Sequence, residues 1–157
     1  MIEQGEVISK ADLTKEDLTG ANLSGGIFEG VSFDDSVLGK ADFVDSVLVK
    51  CSFVNADLRE ADLRKTSLHE CDLSGGRLEA AKLEKVKFSM SVLAGADFNN
   101  TDLHLAKFAG CNLSGASFRT TRMLRTVFVD CKLADNDFSD ADVERTVLLK
   151  ADLSSAK

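Results

Sequence analysis

Every fifth residue from Leu13 to Leu153 is large and apolar, and no insertion or deletion disturbs the count. Residues 41–63, ADFVDSVLVKCSFVNADLREADL, show it plainly. Phe43, Leu48, Phe53, Leu58 and Leu63 mark the beat, each with a small residue two places earlier. Of the 29 positions in the series 17 are Leu and 10 are Phe, with Met123 and Val143 completing it. All ten phenylalanines of the chain fall on the beat, so the period governs the whole chain and not one patch. A fixed internal period is the mark of a repeat architecture.

A period of five suits neither standard element. A helix needs apolar residues at i, i+3, i+4 and i+7, and a strand needs alternation. On a helix, five residues advance about 500°, so the large residues would spiral around the rod without forming a stripe. A solenoid removes the conflict: each pentad makes one side of a coil, turns its central residue inward and stacks on its equivalent in the next coil. We number each pentad so that the large residue is at position 3. Position 1 is then nearly always Ala, Ser, Cys, Thr, Gly or Val, as expected if it also points into a narrow, filled interior. Glu16 and Asn136 depart from this, and both are expected where water reaches in near an end of the repeat.

The pattern small–Asp/Asn–Leu/Phe–x–x, as in Ala21-Asn22-Leu23, Ala61-Asp62-Leu63 and Ala151-Asp152-Leu153, resembles the pentapeptide-repeat family over residues 11–157. The resemblance implies an all-β fold: a right-handed, four-sided (quadrilateral) parallel β-helix solenoid with four pentads per coil, about seven coils of twenty residues. The cysteines agree independently, since Cys51 and Cys71, and Cys111 and Cys131, are twenty apart at position 1. Side one then carries the centres Leu13 to Leu153, side two Leu18 to Phe138, side three Leu23 to Val143 and side four Phe28 to Leu148. Residues 11–157 are expected to form one domain, with residues 1–10 as an N-terminal cap or partial coil, because Ile8 still falls on the beat. At the ~4.8 Å spacing of strands the rod is roughly 34 Å long.

No catalytic, cofactor or metal constellation is visible. His69 and His104 fall on outward positions of different sides, with no partner fixed by the repeat. The cysteines are expected to be buried free thiols, because stacked equivalents point the same way and disulfide geometry is demanding. The Asp residues at position 2, such as Asp42, Asp57, Asp62, Asp97, Asp137 and Asp142, are expected to bond backbone groups at the corners. A net charge of −7 argues against direct nucleic-acid binding. No apolar run approaches a membrane span, and residues 1–10 lack the pattern of a secretion signal, so a cytoplasmic protein away from membranes is expected.

Function is therefore expected on the outer surface. Sides one and two hold the excess negative charge, and Asp34, Asp35, Asp57, Glu60, Glu79, Asp97, Asp137 and Asp140 form the candidate acidic surface. Lys65, Lys85, Arg125 and Arg145 make a basic ridge along the last position of side three. Leu105, Leu124, Val127, Val129, Val147 and Leu149 form a candidate apolar patch for a protein partner or a homodimer. The leading expectation is a non-enzymatic protein-interaction rod or scaffold with a partner not identified by the sequence. The family resemblance implies an alternative, because some members imitate B-form DNA, bind type II topoisomerases such as DNA gyrase and confer quinolone resistance.

Overall fold

In the computed structural model, which describes residues 5–157, one pentad in four forms a short strand. These are β1 (Val7–Ser9), β2 (Ile27–Glu29), β3 (Val47–Val49), β4 (Ser67–His69), β5 (Lys87–Ser89), β6 (Lys107–Ala109), β7 (Val127–Val129) and β8 (Val147–Leu149). Each pairs in parallel with the next, in the order β1 to β8, so side four is a continuous sheet. Its register is Ile8↔Phe28 at one end and Phe128↔Leu148 at the other, always twenty residues apart. The other three sides pair through single bridges with the same step, as Asp12↔Ser32, Asp17↔Val37 and Asn22↔Asp42. The part of the expected N-terminal cap formed by residues 1–4 lies outside the described residues.

The backbone hydrogen bonds explain the pentad. The position-3 N–H donates to position 2 of the next coil (Leu13 N to Ser32 O, 2.8 Å), and position 2 donates to position 1 of the previous coil (Ser32 N to Ala11 O, 3.0 Å). Position 5 donates to position 4 of the next coil, as Lys15 N does to Asp34 O at 2.9 Å. At the corners leaving sides one, two and three, position 1 closes a turn onto the preceding centre, as Ala41 N does onto Leu38 O at 3.0 Å. On sides one, two and three the position-4 N–H has no backbone partner in this scheme, and a position-2 side chain commonly supplies one. Thr14, Val44 and Asn99 donate to Asp12, Asp42 and Asp97 Oδ1 at 3.0, 2.9 and 2.9 Å. Asp and Asn are thus frequent at position 2 of sides one to three, where one backbone donor per pentad needs an acceptor, and absent from position 2 of side four, which pairs as strands.

Every fifth residue from Gly5 to Ser155 has a positive φ, including lysines and glutamates such as Lys40 (58°) and Glu60 (58°). The left-handed region costs a non-glycine residue about 1–2 kcal/mol. Here each such residue sits at the second central place of a corner, where a turn demands it, and from Gly5 to Asp135 its N–H is held by the next coil.

Positions 1 and 3 fill the interior, and the buried core runs without a break from Phe28 to Leu133. Phe88, Phe108 and Phe128 stack down side four with centroids 5.1 and 4.7 Å apart. Phe98, Phe118 and Phe138 do the same down side two at 4.9 and 5.2 Å. The two ladders meet edge to face, as Phe98 meets Phe108 at 86°. Position-1 hydroxyls cap centre carbonyls one coil back: Thr66 donates to Phe43 O and Thr126 to Leu103 O, both at 2.7 Å.

The two exceptions at position 1 part company. Glu16 is exposed in the first complete coil. Asn136 is fully buried, contrary to the expectation that water reaches it, and neither of its amide atoms has a partner. The return of the chain at Ala156 and Lys157 covers the site: Lys157 N donates to Asn136 O at 2.9 Å. The last coil stacks on one side only, which leaves the inward centres Val143, Leu148 and Leu153 exposed.

Candidate interaction surface

The candidate acids are placed by the repeat on the corners and outer faces of sides one and two, and most are engaged in holding the coil. Asp97 and Asp137 accept the N–H of Asn99 and Ser139 at 2.9 and 3.0 Å. Asp34 serves the next coil, accepting Val54 N at 2.8 Å where Ser52 occupies position 2. Asp57 is gripped by Arg59, whose Nε lies 2.7 Å away, with Arg77 at 3.7 Å. The Arg59 side-chain hydrogen bonds hold the Asp57 carboxyl below its usual range against the opposing effect of partial burial. Glu60 pairs with Lys40 at 3.7 Å, Glu79 lies 3.6 Å from Arg77, and Asp137 is 4.0 Å from Arg119. Asp35, Glu60 and Asp140 are exposed, whereas Asp34, Asp57, Glu79, Asp97 and Asp137 are half-buried. Arginines alternate with these acids along side two, as in the column Asp57, Arg77, Asp97. The face is a mosaic of both signs.

The apolar residues come together on the sheet. Val127 is in register with Val147 and Val129 with Leu149, so four aliphatic side chains make a two-by-two ladder on the outward face of β7 and β8. Val147 and Leu149 are exposed, at 40% and 54%, while Val127 and Val129 are half-buried between neighbouring strands. Leu124 and Leu105 are half-buried on side three, joined where Leu105 N donates to Leu124 O at 3.1 Å. Lys150 lies at the corner, 4.0 Å from Asp130. Sequence reasoning missed a second cluster at the other end of the same face: Val7, Ile27 and Val47 form one register column, with Val49 beside Val47. Folding the position-2 and position-4 residues onto side four brings these four together.

The histidines have partners that the repeat itself supplies, which corrects the expectation that it fixes none. His69 Nδ1 lies 2.9 Å from Ser89 Oγ, and His104 Nδ1 lies 3.0 Å from Leu124 O, each one coil on. The four cysteines are free and buried. Their thiols act as more than small hydrophobes, because Cys51 and Cys131 lie 3.5 Å from the carbonyls of Phe28 and Phe108. The neighbouring thiol, reinforced by burial, pushes the Cys71 and Cys111 thiols far up and keeps them protonated. Among the described residues, no three His, Cys, Asp or Glu side chains are grouped to hold a metal ion, and no helix is long and apolar enough to cross a membrane.

Comparison with known proteins agrees with this geometry. Residues 41–118 match the family model described as a pentapeptide repeat region, and residues 11–49 match that of pentapeptide repeats. No curated protein matches the chain. Among solved structures, a trypsin-treated variant of QnrB1, described as a plasmid-mediated fluoroquinolone resistance protein, is similar at 17% identity and a TM-score of 0.60. That match covers 98% of this chain and 89% of QnrB1. A pentapeptide repeat protein from the Arabidopsis thaliana thylakoid lumen is similar at 27% identity and a TM-score of 0.57, covering 66% of this chain and 68% of that one. The repeat in the sequence, its twenty-residue register in space and both family matches lead to one conclusion: the chain belongs to the pentapeptide-repeat family.

Proposed function

We propose that this protein is a non-enzymatic interaction rod that docks a protein surface on the flat sheet of side four, with a second copy of the chain as the partner. The supporting observation is the aliphatic ladder Val127, Val129, Val147 and Leu149, aligned in two register columns on the outward face of a continuous parallel sheet. A flat patch of this kind suits an isologous contact, in which each copy offers the same surface about a two-fold axis. Burying four Val and Leu side chains from each copy supplies a core for such a contact at ~1.5–3 kcal/mol per fully buried side chain.

The alternative is a DNA-mimicking ligand of a type II topoisomerase such as DNA gyrase, conferring quinolone resistance. The likeness to QnrB1 is one of fold. The arginines interleaved with the acids of side two favour the interaction-rod reading, because ion-paired carboxylates present little of a phosphate backbone's field. Sedimentation of the purified protein over a concentration series separates the readings. We expect a dimer that Val129→Asp with Leu149→Asp converts to monomer, and no inhibition of gyrase supercoiling. A monomer at every concentration that inhibits supercoiling near stoichiometry would replace this proposal with the alternative.

A further inference from the structure

We propose that the corner between sides three and four is an anion-binding groove that receives an acidic, leucine-bearing segment of another protein. Lys65 and Lys85 stack at the corner with φ of 62° and 61°, and Lys87 and Lys107 are directly opposed partners in β5 and β6. With Asp45 and Leu105 they line an open groove of about 480 Å³. All four lysines are exposed. Lys65 reaches Asp45 at 3.9 Å, and among the described residues no carboxylate lies within 4.0 Å of Lys85, Lys87 or Lys107.

This arrangement is unlike much of the remaining charged surface. Where Lys40, Lys50, Lys82 and Lys150 occur, the coil before or after supplies Glu60, Glu70, Asp62 and Asp130 within 4.0 Å. At this corner lysine stands over lysine twice. Like charges directly opposite each other in a sheet are destabilising, so packing does not account for the cluster, and a bound carboxylate relieves the repulsion.

The floor of the groove selects among anions. Leu105 lies half-buried in it, its N–H donates to Leu124 O, and Lys107 is in register with Val127, so the groove runs onto aliphatic side chains. A nucleic-acid backbone carries evenly spaced phosphates and has nothing to bury against Leu105. It would also meet the field of a protein with net charge −7. A peptide that alternates acids with leucine satisfies both the lysines and the floor. The groove residues are separate from the ladder of β7 and β8, so binding there does not depend on whether that ladder joins two copies.

The test is fluorescence anisotropy with a short labelled peptide of glutamates and leucines, the same peptide with glutamine for glutamate, and a single-stranded oligothymidylate of equal length. We expect the acidic peptide to bind, the glutamine peptide to bind at least about tenfold more weakly, and affinity to fall as salt shortens the Debye length below about 10 Å. Lys85→Gln with Lys107→Gln should weaken acidic-peptide binding by about tenfold or more, the loss expected when close charge pairs are removed. That variant should keep the wild-type circular dichroism and melt no lower. Val129→Asp with Leu149→Asp should leave peptide binding in place. Equal affinity for the two peptides, unchanged binding in the lysine variant, or tighter binding of the oligothymidylate would each overturn the proposal.

Discussion

Asn136 shows how strictly the interior is specified at the scale of one residue. After the exposed Glu16 its column on side two otherwise reads Ser36, Ala56, Gly76, Ala96, Ala116 and Ala156, and its amide is buried with both polar atoms unpartnered. A buried polar group without a partner costs about 1–3 kcal/mol. Asn136→Ala should therefore stabilise the protein by about that amount in urea denaturation, whereas a loss of stability would show that the amide is satisfied in solution. Thr126 makes the opposite case: its hydroxyl caps Leu103 O, so Thr126→Val, which keeps the shape, should cost about 1 kcal/mol. The carboxylates at position 2 set the pH response. Hydrogen bonds from Ser139 lower Asp137 from its ordinary 3.8, and hydrogen bonds from Arg59 lower Asp57. In Asp62 partial burial is the largest single influence and raises the carboxyl, but the bonds to Arg64 and the charges of Arg64 and Lys82 together lower it. A carboxylate whose folded pKa lies below its unfolded value stabilises the fold above that value and loses the contribution as pH falls through the folded pKa. Thermal stability should accordingly hold from neutral pH to about 5 and decline below about 4. A midpoint that rises on acidification would contradict these assignments.

At the scale of the element, the sequence exposes the pentad but hides part of its cause. Leu and Phe at position 3 and small residues at position 1 give the inward face, and Asp or Asn at position 2 gives the corner bond. The left-handed corner at position 5 is harder to see, because lysines, glutamates and aspartates together occupy it more often than glycine does. Propensity is overridden there by the turn and, from Gly5 to Asp135, by the bond that the position-5 N–H makes to the next coil. The expectation for Asn136 failed for a similar reason: position along the chain is a poor guide to burial when the returning backbone at Lys157 covers the site. The phenylalanine ladders make the middle coils the most sensitive to substitution. Phe108→Ala removes the middle ring of a three-ring stack, fully buried between Phe88 and Phe128, and should cost about 3–5 kcal/mol. Ser117→Ala, on the outward face of the next coil, should change stability by less than about 0.5 kcal/mol beyond the loss of its bond to Asn99.

At the scale of the whole molecule, the four sides of the rod are chemically distinct although one repeat builds them all. Sides one and two carry the net negative charge in an interleaved form, side three carries the cationic corner, and side four is a continuous sheet with aliphatic clusters at both ends around a polar middle. That distribution was partly legible, because a twenty-residue register by itself assigns each residue to a side. What the register could not supply was which charges neutralise each other. Arg59 folds onto Asp57 and Arg77 onto Glu79, so formal charge per side overstates the acidity of side two. The central claim is that side four, and not the acidic faces, meets another protein surface. Methyl NMR of Val- and Leu-labelled protein over a dilution series tests it most directly, with the exposed Val37 of side two as the internal control. Concentration-dependent shifts are expected at Val127, Val129, Val147 and Leu149, with Val37 constant. Shifts at Val37 while the side-four methyls stay fixed would contradict the claim.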